Sequence, residues 1–77
     1  MPSHQPVHEI RLGAVKASIW EEPAHDGPRH LVTVARMVRD GDGWRHSPRF
    51  ERDDLPLVAE VVDMAHLWIF EQAELIA

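Results

Sequence analysis

The chain has 77 residues, enough for one domain and too few for two cores. A chain of that size buries only about 60% of its unfolded surface, and with no cysteine it has neither a disulfide nor a thiolate–metal staple, so a partner chain is the expected addition. The net charge of −5 is uneven: residues 1–52 hold all eight Lys and Arg against seven acids, and residues 53–77 hold six acids and no Lys or Arg.

No apolar run approaches the ~18 residues of a membrane span. The opening MPSHQPVHE lacks both the basic and the apolar region of a signal peptide. The expectation is a cytoplasmic protein with no membrane partner. Residues 1–8, with Pro2 and Pro6, are expected to be a flexible terminus, and residues 9–77 a single domain.

EIRLGAVKASIWEE has strand patterning. Ile10 and Leu12 alternate with charge, then Val15, Ala17 and Ile19 alternate with Lys16, Ser18 and Trp20. The parity slips at Gly13-Ala14, which marks a bulge or a sharp bend. Asp26-Gly27-Pro28 is turn chemistry. RHLVTVARMVR is the next strand, rich in β-branched residues, with Val32 and Val34 on its bulkier, inward parity. DGDG is a hairpin turn in which Gly41 and Gly43 supply positive φ. WRHSPRF follows as a strand that Pro48 confines to an edge or interrupts.

Asp53 or Asp54 caps a helix running from about Leu55 to about Leu75, with Pro56 in its first turn. On a 100° wheel Glu60, Asp63, Glu71 and Glu74 form an acidic stripe, with Leu67 and Phe70 in or beside it. The other large apolar side chains, including Leu57, Val58, Val62, Leu75 and Ile76, spread over about half the remaining circle or more. A small sheet covers only one face of such a helix. Each large side chain left in water forfeits about 1.5–3 kcal/mol. The expected solution is a homodimer through this helix, with Val61, Met64, Ala65, Trp68 and Ile69 at the interface. The fold class expected is α+β: a curved antiparallel sheet of three to four strands, then one long C-terminal helix packed on it, in ββββα order.

With IRLGAVKASIWEE, VTVARMV, DGDGWRHSPRF and RDDLPLVAEVVDMAHLWI, the chain resembles a small family of uncharacterised bacterial proteins over about Ile10 to Ile69. That family is grouped with the single-stranded-DNA-binding transcriptional regulator fold of the positive-cofactor-four coactivators and the plant Whirly proteins. The resemblance to the coactivators is one of element order. It implies a curved sheet packed on the helix, helices paired in a dimer, and an open sheet face that binds single strands. The coactivators are lysine-rich on that sheet, whereas this chain is acidic and has one lysine. Fold therefore carries over further than binding does.

Single-strand binding calls for cations to meet phosphates and flat rings to stack on bases. Lys16 and Trp20 share a parity, Arg45 and Arg49 share another, and Arg36 and Trp44 are assigned to the same surface. These six are the candidate site for single-stranded DNA or RNA. The alternative is a protein-interaction or scaffold module that uses the acidic helical face and the exposed sheet.

Other chemistries fare worse. His4 and His8 have a helical ligand spacing, but Pro2 and Pro6 oppose a helix there, and His25, His30 and His46 form no motif, so no metal or other cofactor is expected. DGDGWRHSPRFE carries acids at positions 1, 3 and 12 of a calcium loop, yet has Arg45 where that loop needs glycine. Ser3, Ser18 and Ser47 lie in no nucleophile motif, and there is no phosphate-binding glycine loop, so no enzyme is expected.

Overall fold

The computed structural model describes residues 5–76, with side chains over residues 5–73. Strands β1 (His8–Leu12), β2 (Val15–Glu22), β3 (Arg29–Asp40) and β4 (Gly43–Ser47) precede helix α1 (Leu55–Ile76). All neighbours pair antiparallel in the order β1-β2-β3-β4, a simple meander. The α+β class with a C-terminal helix is as expected from the patterning.

The parity slip at Gly13-Ala14 is a complete hairpin turn rather than a bulge, with Leu12 paired to Val15 across it. Gly13 has φ +57 at the first central position, where such a two-residue turn needs glycine. A Cβ there would also stand 3.2 Å from Leu57 Cδ1 on the helix. Gly13→Ala is therefore expected to cost about 1–2 kcal/mol, read as a lower urea midpoint. The β3–β4 turn follows the same logic with Gly41 at φ +63. Gly43, expected to share that role, is instead a strand residue paired with Asp40. β4 stops at Ser47 because Pro48 has no N–H to continue the ladder.

Register decides the core. Ile10, Val15, Ala17 and Ile19 come to one sheet face and meet Val61 and Ala65 of α1. Val32 and Val34 pair with Ile19 and Ala17, so they share this face, as their parity indicated. Val34 packs against the core, but Val32 stays exposed, because α1 lies mainly over β1 and β2. The Cα radius of gyration is 14.1 Å, above the ~11–12 Å of a compact chain this long. The chain is accordingly flat and elongated, 42 × 34 × 16 Å along its principal axes.

The expected dimer interface is corrected here. Val61 and Ala65 are 0% and 1% exposed inside the chain's own core. Trp68 is also engaged: the His8 ring stacks on it at 4.7 Å, and the His30 ring meets it edge-on at 6.0 Å. Ile69 is half-buried against the same core, and only Met64 of the five is exposed. Among the described residues, the large apolar side chains that α1 leaves in solvent are Leu55, Val62, Met64, Leu67 and Phe70.

The helix start distinguishes the two acids. A 3-10 turn, Arg52–Asp54, leads into α1. Asp54 Oδ2 accepts the Glu51 N–H at 2.8 Å, and the Asp54 N–H donates to the Glu51 carbonyl at 2.9 Å. Asp54 is buried, with Arg36 Nε 3.0 Å from Oδ2. That N–H is not aimed at the oxygen, so the Arg36 pair is coulombic rather than a hydrogen bond. Asp53 is exposed and meets only Arg52. Asp54→Ala should cost about 2–3 kcal/mol, and Asp53→Ala within about 0.5, by urea unfolding.

Part of the terminus expected to be flexible, residues 1–4, lies outside the described residues, as do the side chains of Glu74, Leu75 and Ile76. Val7 donates its N–H to the Ile19 carbonyl at 2.7 Å, and His8 opens β1. Among the described residues no helix is long and apolar enough to cross a membrane.

Candidate nucleic-acid interface

One sheet face is packed on α1; the other carries no helix. Alternation fixes its content: Glu9 and Arg11 from β1, Lys16, Ser18, Trp20 and Glu22 from β2, Arg29, Leu31, Thr33, Ala35, Met37 and Arg39 from β3, and Trp44 and His46 from β4. Four Lys and Arg stand there against two carboxylates, on a molecule whose net charge is −5.

The end of this face near the two hairpin turns holds a cationic–aromatic cluster. The Arg39 guanidinium carbon lies 5.3 Å from the Trp44 ring centre, and that of Arg11 lies 5.6 Å from it. Arg39 and Trp44 are direct cross-strand partners. Arg11 comes from the opposite edge strand, level with Ala35 rather than Arg39, so it reaches the Trp44 ring diagonally across the sheet. Arg11 Nε–H also donates to the Gly13 carbonyl at 3.1 Å, which ties it to the β1–β2 turn. Trp44 remains 55% exposed. An exposed ring with two guanidiniums against it offers both flat apolar surface and N–H donors for an anionic, aromatic ligand.

Pairing separates available cations from occupied ones. Lys16 meets Glu9 at 3.3 Å, Arg29 meets Glu22 at 3.9 Å, and Arg45 meets Asp40 at 3.6 Å. Arg36 is held between Asp54 and Glu51, and Arg52 sits beside Asp53. Among the described residues, Arg11, Arg39 and Arg49 have no carboxylate within ion-pair distance.

The six residues expected on one surface are divided. Lys16, Trp20 and Trp44 lie on the open face. Arg36 and Arg45 lie on the opposite face, since Arg36 pairs with Val15 and Arg45 with Val38. The parity that turns Val34 inward turns Arg36 inward with it, and Asp54 then binds it. Arg49 follows the end of β4 in an exposed loop, its backbone N–H donating to Ser47 Oγ. Trp20 is half-exposed, with its indole N–H on Thr33 Oγ1 at 2.9 Å.

No family model, curated protein or solved structure matches the chain.

Arg11 and Arg39 were missed from the sequence, although a signal was there. A two-residue turn at Gly41-Asp42 places residue 39 opposite residue 44, and the inward parity of Ile10 and Leu12 turns Arg11 outward. Among the described residues no three His, Asp or Glu side chains gather as a metal would need, and His4 lies outside those residues.

Proposed function

We propose that the protein is a dimeric, non-enzymatic module that binds single-stranded DNA or RNA on the open sheet face. The observation that carries this reading is Trp44 with Arg11 and Arg39 against it, two cations that no carboxylate neutralises. Phosphates would lie along these guanidiniums, and bases would stack on Trp44 and on Trp20 further along the same face. Each such stack contributes about 1–3 kcal/mol. The resemblance in element order to the positive-cofactor-four and Whirly fold points the same way. A transcription-related role is the process that resemblance implies.

Charge limits the strength of binding. The chain is negative overall, so long-range steering repels a polyanion, and local contacts must do the work. Affinity in the micromolar range or weaker is the expected outcome, better for single strands than for duplex, where bases are not free to stack. Fluorescence anisotropy with a labelled oligo-dT at two salt concentrations tests this. Binding at low salt that falls as salt rises is the expected result. No binding even at low salt removes the reading.

The dimer belongs to the same proposal, with a revised surface. Leu55, Ala59, Val62, His66 and Ala73 follow a four-three spacing along α1 and are exposed, and no acid lies within that stripe. Two such stripes packed about a two-fold axis would remove Leu55 and Val62 from water without bringing carboxylates together.

A further inference from the structure

A second apolar strip on α1 differs from the dimer stripe in its charge. Leu67 and Phe70 are 57% and 58% exposed, the most of the large apolar side chains described on the helix. Leu67 is flanked one turn back by Asp63 and Met64, two turns back by Glu60, and one turn ahead by Phe70 and Glu71. All three acids are exposed, and none has an ion-pair partner among the described residues. Helix α1 supplies no Lys or Arg of its own. Beside Leu67 a cleft of about 190 Å³ opens between β1 and α1, walled by His8, Ile10, Met64, Leu67, Trp68 and Glu71. Its size suits one apolar side chain, and Glu71 stands in its wall.

A second copy is a poor occupant. Two-fold pairing of this strip would set Glu60, Asp63 and Glu71 against their own equivalents, and like charges repel across an interface. Among the described residues the cations free to answer them are Arg11 and Arg39 on the open sheet face and Arg49 in the loop after β4. Docking them here would join copies head to tail without closing.

We propose that this strip docks a cationic amphipathic helix from a different protein. One apolar side chain of that helix seats in the β1–α1 cleft, others cover Leu67 and Phe70, and its Lys or Arg residues face Glu60, Asp63 and Glu71. Glu71 lies eleven positions beyond Glu60, about 16 Å of helix, so roughly three turns of partner are engaged. The site is on the opposite side of the sheet from the nucleic-acid face and does not depend on that reading.

The probe is a labelled amphipathic Leu/Lys peptide of about 15–18 residues, long enough to form a helix, compared with a scrambled peptide of the same composition. The wild-type protein should bind the amphipathic peptide at least about tenfold more tightly than the scramble. Binding should weaken with salt, and should fall about tenfold or more in Leu67→Ser/Phe70→Ser and in Glu60→Lys/Asp63→Lys. All these residues are exposed, so both variants should keep the wild-type circular dichroism and bind oligo-dT no less tightly than the wild type. Any of four results overturns the proposal: no peptide binding, equal binding of the scramble, binding unchanged in both variants, or a change of oligomeric state in Leu67→Ser/Phe70→Ser. The last would show that a second copy covers the strip.

Discussion

Ala65→Glu is expected to unfold the protein, whereas Val62→Glu leaves it folded and separates the proposed dimer. The two residues are only about 60° apart around the helix, but the edge of the packed face runs between them. Ala65 is 1% exposed and faces Val15, Ala17 and Ile19 of the sheet. A carboxylate there has no partner and no room, and burying it costs more than about 4 kcal/mol. A domain of this size has about 5 kcal/mol or little more to lose. Val62 is exposed on the acid-free stripe with Leu55. Glu at that position sits in water in the monomer, but faces its two-fold mate or apolar neighbours in the dimer. Sedimentation and far-ultraviolet circular dichroism separate the two effects. A wild type that sediments as a monomer at micromolar concentration overturns the dimer, and a Val62→Glu variant that stays dimeric overturns this stripe as its interface.

Arg11→Glu/Arg39→Glu should abolish measurable oligo-dT binding, while Arg36→Gln and Arg45→Glu should leave it largely intact. The first pair removes both guanidiniums from Trp44 and places two carboxylates where phosphates would lie. Reversing two phosphate contacts costs at least about tenfold in affinity and lowers the salt slope by about two. Trp44→Ala should weaken binding by about 1–3 kcal/mol with less change in salt slope, since it removes a stacking platform rather than a charge. Arg45 lies on the opposite face and is paired to Asp40, so reversing it acts only at long range through screened charge. Arg36→Gln is expected to register in stability instead, because Arg36 neutralises buried Asp54. If Arg45→Glu abolishes binding and Arg11→Glu/Arg39→Glu does not, the ligand lies on the other side of the sheet.

Much of the fold was legible in the residues. Period-two alternation in Ile10–Leu12, Val15–Ile19 and Val32–Val38, broken by Gly13, Gly27 and Gly41, specifies strands and turns, because side-chain direction and positive φ are local properties. The acid-led start at Leu55-Pro56 and a long apolar repeat specify α1 for the same reason. Alternation also held enough to place Arg11 outward, from Ile10 and Leu12, and Arg36 inward, from Val32 and Val34.

Other assignments needed the tertiary structure. Whether Asp53 or Asp54 serves the helix start depends on which one the backbone turns toward Arg36, a residue 18 positions earlier in the chain. Whether Val61 and Ala65 pack on a partner or on their own sheet depends on how far α1 is rotated, and a helix apolar over so much of its circumference leaves several rotations open. Pairing of Lys16 with Glu9, and the freedom of Arg11 and Arg39, depend on cross-strand register. Local sequence therefore determined which residues form strands, turns and helix. Only the packed structure decided which charges are neutralised and which apolar faces remain open, because those are contacts between segments distant in the chain.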